Sequence, residues 1–140
     1  MDYRKFGQTW IIRMDRGEEI VSCLKALCEK EHIRLASVSA LGASSRAVVC
    51  VYDIEKKVYH RQTLTEFMEI ASLTGTVTEK DGAPYLHLHG TFCDESHVAR
   101  GGHVMEITVG ATCEMVLTEI DGHVGRELQE ETGLNLFRFD

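Results

Sequence analysis

The chain has 140 residues, a hydrophobic fraction of 44%, a single proline and a formal net charge of −7. This length is typical of one folded domain, here residues 1–140, which can bury a hydrophobic core without disulfides. The acidic balance and scattered basic residues argue against strong binding to nucleic-acid phosphates, and the longest apolar runs are too short to cross a membrane.

The five cysteines are an odd number and form no Cys-x-x-Cys pair. The N-terminus also lacks the charged segment and apolar run of a signal peptide. We therefore expect a cytoplasmic protein whose cysteines stay reduced. Cys93 lies near the histidines discussed below and is kept as an alternative, additional soft metal ligand.

Residues 3–14 predict an opening strand. Asp15, followed three residues later by Glu18, matches a capping box and predicts that a helix begins there. Apolar side chains then recur at spacings of three and four residues up to about Glu31, which predicts one buried helix face. That face consists of Ile20, Cys23, Leu24, Leu27 and Cys28.

The rest of the chain is dominated by β-branched and alternating apolar residues. We predict strands over residues 36–41, 47–53, 58–64, 67–77, 85–92, 103–110, 111–120 and 134–139. Gly75 is expected at a bulge or bend, Asp81-Gly82 at a tight turn, and residues 127–133 in an irregular segment. The predicted fold class is α+β, with one main N-terminal helix and a largely antiparallel or mixed β-sheet.

Three histidines stand in two short segments, His87-Leu88-His89 and Gly101-Gly102-His103. Residues two apart in a strand point to the same face, so His87 and His89 share a side. Two glycines before His103 permit a close backbone approach and make it the natural third partner. Three imidazoles with an open coordination position suit Zn²⁺ or a similar divalent metal. The alternative is that each ring only hydrogen-bonds a neighbour.

Glu69 is a charged residue in an otherwise apolar strand. An unpaired buried carboxylate is costly, so it is exposed, paired or functional. One alternative is a salt bridge with an arginine such as Arg13 or Arg46. The other places Glu69 in the wall of the histidine pocket, where it would orient or activate metal-bound water.

Several segments in this order resemble the plants and prokaryotes conserved (PPC) domain family over nearly the whole chain. They are Arg16–Ile20, Val38–Ala43, Met68–Val77, His87–His89, Gly101–His103 and Glu131–Leu134. The resemblance implies a PPC-like α+β fold that assembles as a homotrimer. It also implies a metal-ligand role for His87, His89 and His103. Prokaryotic members are often labelled as candidate DNA-binding proteins.

Two departures from the plant members bear on DNA binding. The AT-hook core, Arg-Gly-Arg-Pro, does not occur in the sequence, and Phe67 stands where the plant segment has arginine. The part of the plant relatives that touches DNA directly is therefore missing from this sequence.

The sequence supports three hypotheses. The first is a homotrimeric binding or regulatory module with a divalent metal, zinc by preference, and a small-molecule ligand. The second is a DNA-binding or transcription-associated protein, which the acidic charge disfavours. The third is a zinc-dependent hydrolytic enzyme, for which the sequence shows no complete catalytic constellation. Whether the metal would lie within one subunit or between subunits stays open.

Overall fold

The computed structural model describes residues 1–139. One helix and nine strands follow one another along the chain. They are β1 (Asp2–Phe6), β2 (Thr9–Asp15), α1 (Ile20–Lys30), β3 (Ala36–Asp53), β4 (Val58–Leu64), β5 (Met68–Lys80), β6 (Ala83–Cys93), β7 (Ala99–Glu119), β8 (Gly125–Gln129) and β9 (Leu134–Arg138). The predicted α+β class, with one N-terminal helix and a mostly antiparallel sheet, is confirmed.

Seven strands form one sheet in the order β1-β2-β7-β6-β5-β3-β4, and all of its pairings are antiparallel. Strand β3 pairs with both β5 and β7, so β3, β5, β6 and β7 close on one another. Helix α1 packs against β6 and β7 and buries Ile20, Leu24, Leu27 and Cys28. The remaining strands β8 and β9 form a separate hairpin.

The helix begins later than predicted. Asp15 is the last residue of β2, and α1 starts at Ile20 with Glu19 as its N-cap. Half of the predicted capping box exists, because the Asp15 amide donates to a Glu18 carboxylate oxygen at 2.8 Å. Gly17 lies between them with φ of +89°, a conformation that a right-handed helix cannot contain. The pattern therefore marks a turn before the helix.

Two pairs of predicted strands are single long strands. Residues 36–53 form the continuous β3, and residues 99–119 form β7. The interruption predicted near Gly42, between two strands, is instead a set of β-bulges within β3. There the register of β3 with β5 and β7 shifts, but the pairing continues. The prediction of an irregular segment over residues 127–133 is wrong for residues 127–129, which belong to β8. Strand β8 pairs with β9, which is the predicted closing strand.

The five cysteines are all free, as expected. Over residues 1–139, no helix is long and apolar enough to span a membrane.

Candidate metal centre

The three histidines are brought together by one strand pairing. In the antiparallel pair of β6 and β7, His89 lies opposite His103, and His87 is two residues away on the same face as His89. The imidazole centroids are 5.2 Å apart for His87–His89 and for His87–His103, and 5.5 Å apart for His89–His103. One ring nitrogen from each histidine lies within 4.8 Å of the other two. The grouping predicted from the sequence is therefore present.

Glycines allow the backbones around these histidines to approach one another. A Cβ on Gly102 would lie 2.5 Å from the Cys50 carbonyl oxygen, and one on Gly101 would lie 2.1 Å from that of Gly90. Both distances are too short for a side chain, so the expected close approach at Gly101-Gly102 is confirmed. Gly75 serves the same purpose on β5, where a Cβ would lie 2.0 Å from the His87 carbonyl oxygen. It is not the predicted bulge, since the β5–β6 register shifts only between Ile70 and Ser72.

Burial favours the uncharged form of two of these imidazoles. The pKa of His103 is lowered to about 4, mainly by desolvation and to a smaller extent by the neighbouring His87 and His89. The pKa of His87 is also lowered, mainly by desolvation and to a smaller extent by the nearby His89 and Arg126. Neutral imidazole is the form that ligates metals. Three converging imidazole nitrogens form a donor set that fits a divalent metal such as Zn²⁺.

The histidines lie in a cleft of about 390 Å³ between the main sheet and the β8–β9 hairpin. The Tyr59 ring stands beside His103, with their centroids 5.4 Å apart. Besides the three histidines, the lining residues are Cys50, Val51, Tyr52, Tyr59, Tyr85, Gly102, Arg126, Leu134, Asn135 and Leu136. No aspartate or glutamate of the described residues is among them, so the cleft differs in charge from the acidic chain as a whole.

Arg126 is the charged residue of this cleft that sequence reasoning missed. Its Nε donates to Thr78 Oγ1 at 3.0 Å and its Nη1 to the Asn135 carbonyl oxygen at 3.0 Å. The guanidinium carbon lies 4.8 Å from the Tyr85 ring centroid and 4.2 Å from that of Phe137. No local signal pointed to Arg126, because it stands next to the segment predicted to be irregular.

Glu69 is not brought to the histidines. Its side chain is exposed, and it pairs in register with Cys93 on β6, five positions along β5 from Thr74, which is opposite His89. At about 3.3 Å per residue, this spacing puts the Glu69 backbone roughly 16 Å from that level of the sheet. Of the two arginines considered as partners, Arg13 pairs with Asp15 and Arg46 pairs with Glu106.

Cys93 is also outside the group of converging ligands, which in residues 1–139 contains His87, His89 and His103 alone. It pairs with Ala99 at the far end of the β6–β7 ladder. The alternative that Cys93 serves as an additional soft ligand has no support in this geometry.

The order of segments and the fold have a counterpart among known families. The model of the Plants and Prokaryotes Conserved domain matches residues 1–121. The chain belongs to this family. The family match stops before the β8–β9 hairpin, so Arg126 lies outside it.

Two solved structures that are similar to this chain over its full length bear on its function. A "putative DNA binding protein" from Bacteroides thetaiotaomicron is 29% identical, with 99% of this chain and 96% of that chain covered and a TM-score of 0.96. A metal-containing protein from Archaeoglobus fulgidus is 33% identical, with 99% of both chains covered and a TM-score of 0.89. Both share the PPC fold with this chain from end to end.

A more distant likeness concerns the fold alone. Alpha-acetolactate decarboxylase from Bacillus subtilis is 14% identical, with 87% of this chain and 57% of that chain covered and a TM-score of 0.59. None of the curated proteins matches this sequence.

Proposed function

We propose that this PPC protein is a homotrimeric binding module that holds a divalent metal, zinc by preference, on His87, His89 and His103. The observation that carries the proposal is the convergence of three imidazole nitrogens within 4.8 Å of one another. The 33% identical relative from Archaeoglobus fulgidus, described as metal-containing, supports it further.

The composition of the cleft favours binding over hydrolysis. A three-histidine zinc supplies a Lewis-acidic coordination position for an oxygen or nitrogen donor of a ligand. A hydrolytic mechanism would also need a base within hydrogen-bond reach of the reacting water. The described lining of the cleft offers no carboxylate for this role, and Glu69 is exposed elsewhere on β5.

An exposed apolar groove supports the proposed trimer. On a different part of the sheet from the histidines, residues of β1, β2, β3, β5 and β7 line a groove of about 650 Å³. Its large exposed hydrophobic side chains are Phe6, Ile11, Leu41 and Val116. A monomer seldom leaves such a patch uncovered, and burial against further copies of the chain would remove it from water.

Element analysis tests the metal assignment. The protein is incubated with zinc, dialysed and measured beside His87→Ala and His103→Ala, with His97→Ala as the matched control. His97 is an exposed histidine of the β6–β7 turn and is not part of the group. We expect bound zinc in the wild type and in His97→Ala, and its loss from the other two variants. Equal zinc content in all four proteins would refute the assignment.

The hydrolytic alternative is tested on the same samples. Zinc-dependent turnover of a generic ester that disappears in His89→Ala would replace a binding role with a catalytic one. We expect no difference in turnover between the wild type and His89→Ala.

A further inference from the structure

The charge of the cleft is opposite to that of the chain. The chain carries a net charge of −7, yet the described lining of the cleft contains one arginine, three histidines and no carboxylate. A divalent ion on the histidines would add two further positive charges. A buried or half-buried charge needs compensation, and none of the described residues that line this cleft supplies an anion.

Among residues 1–139, the contacts that fix Arg126 in place include no carboxylate. Its Nε donates to Thr78 Oγ1, its Nη1 to the Asn135 carbonyl oxygen, and its Nη2 to Thr76 Oγ1 at 3.5 Å. The guanidinium carbon also lies over the rings of Tyr85 and Phe137, 4.8 Å and 4.2 Å from their centroids. None of the ion pairs of residues 1–139 includes Arg126.

These contacts hold the guanidinium still while leaving donors available. A guanidinium has five N–H groups, and the three bonds above use three of them. A charged donor that is already oriented loses little conformational entropy when an anion arrives. The site is therefore preorganised for an acceptor that enters the cleft from outside.

The rest of the lining indicates what kind of anion fits. Val51, Leu134 and Leu136 are apolar, and Tyr52 and Tyr59 present aromatic rings. The cleft of about 390 Å³ is in the size range of small-molecule sites. A single guanidinium with apolar walls matches a monoanion with a hydrocarbon or aromatic body better than inorganic phosphate.

We propose that the cleft binds a small carboxylate with an apolar body, its carboxylate held by Arg126 beside the three-histidine site. This inference rests on the proposed function, because the metal would provide the second positive partner of the ligand. It makes Arg126 the residue that selects charged over neutral ligands.

Calorimetric titration of the zinc-loaded protein with benzoate and benzamide tests the charge requirement. The two probes have nearly the same shape, and only benzoate is charged. Acetate, butyrate and inorganic phosphate extend the series in size and in anion type. We expect benzoate and butyrate to bind more tightly than acetate and phosphate, and benzamide to bind at least tenfold more weakly than benzoate.

Substitutions of Arg126 then test whether this residue selects charged over neutral ligands. We expect Arg126→Gln to weaken benzoate binding by about tenfold to a hundredfold, as for a lost hydrogen bond to a charged group, with the zinc content unchanged. Arg126→Lys keeps the charge and should retain part of the affinity, which separates binding from misfolding. Arg16→Gln removes the same charge from an exposed turn outside the cleft and should bind as the wild type does.

Three results would overturn the inference: benzamide binding as tightly as benzoate, unchanged benzoate affinity in Arg126→Gln, or no anion of the series binding below about 10 mM. Preference for phosphate over every carboxylate would also overturn the assigned ligand class. Zinc content measured on the same samples separates this failure from that of the proposed function. If the wild type holds no zinc but binds benzoate in a way that requires Arg126, the anion site is supported on its own. If the wild type binds neither zinc nor benzoate, the anion site is overturned as well.

Discussion

His89 and His103 lie directly opposite each other across β6 and β7, and their imidazole centroids are 5.5 Å apart. The β6–β7 ladder is short and runs only from this pair to Cys93–Ala99. Because neighbouring strand residues point to opposite faces, a slip of one residue would turn the ring of one partner away. The candidate metal centre therefore depends on the register of five residue pairs.

Gly75→Ala tests how far the centre depends on backbone approach. A Cβ at this position would lie 2.0 Å from the His87 carbonyl oxygen, so β5 and β6 would have to move apart. We expect a loss of about 1–3 kcal/mol in the free energy of unfolding, as for other overpacked sites, and reduced zinc content. Urea unfolding and element analysis measure both quantities. Gly125→Ala is the control, because its nearest contacts would be ordinary ones at 3.7 Å. Equal effects of the two substitutions would contradict the explanation.

Zinc should stabilise the folded chain through the three histidines. A ligand that binds only the folded state adds about 2.7 kcal/mol at a hundredfold excess over its dissociation constant. We expect zinc to raise the melting temperature of the wild type, and a chelator to reverse the rise. His89→Ala should show no such rise, whereas His97→Ala should respond as the wild type does. A rise of the same size in His89→Ala would place the bound zinc elsewhere.

Some residues of this site could be predicted from the sequence, and others could not. The shared face of His87 and His89 follows from the two-residue period of a strand, and Gly101-Gly102 marked the close approach before His103. The place of Arg126 could not be predicted in this way. It depends on the β8–β9 hairpin lying beside β5, a tertiary contact made through Thr76 and Thr78.

Other features of the fold were missed for similarly physical reasons. Asp15 and Glu18 are a capping pattern in sequence, but Gly17 keeps that turn outside the helix. The bulges near Gly42 resemble strand ends in a sequence, since a bulge and a break are both marked by glycine and small polar residues.

Glu19 joins the start of α1 to β7 and should contribute substantially to stability. Its carboxylate accepts hydrogen bonds from the amides of Val21 at 3.0 Å, Ser22 at 2.7 Å and Ile107 at 3.0 Å. We expect Glu19→Ala to lower the free energy of unfolding by about 1–3 kcal/mol, since it leaves these donors without their acceptor. Glu29→Gln, on the exposed side of α1, should change little in the same urea titration.

The same carboxylate should make stability depend on acid pH. Burial by itself would raise the pKa of Glu19, but the hydrogen bonds from Ser22, Ile107 and Val21 outweigh it and lower the pKa below 4.5. Stabilisation by a carboxylate with a depressed pKa is complete above its unfolded value and is lost as the pH falls through the folded value. We therefore expect the difference in unfolding free energy between the wild type and Glu19→Gln to shrink below about pH 4.5. A difference that stays constant from pH 7 down to the acid limit of folding would contradict this assignment.

Leu41→Asp should disrupt the proposed trimer. Leu41 lines the apolar groove and its side chain is 57% exposed, so a carboxylate there costs the isolated chain little but would be buried in an assembly. Light scattering should give three times the chain mass of 15.7 kDa for the wild type and a smaller mass for the variant. Ile54→Asp, at a side chain 51% exposed outside the groove, should leave the mass unchanged. A monomeric wild type at micromolar concentration would refute the trimer.

Duplex DNA should bind this chain weakly, although similar structures carry a DNA-binding description. Affinity for DNA comes largely from lysines and arginines that displace counterions from phosphates, and each such contact steepens the dependence on salt. Here 22 acidic residues outnumber 15 lysines and arginines. The Arg126 guanidinium is held inside a cleft by Thr78 and Asn135, so it is not part of an extended basic surface. Fluorescence polarisation with a labelled duplex, measured at low and at physiological salt, should show no saturable binding up to about 10 μM protein, a concentration within the usual range of non-specific dissociation constants. Tight binding at low salt that falls steeply as salt is added would show that the trimer presents a basic surface which a single chain lacks, and would favour the DNA-binding alternative.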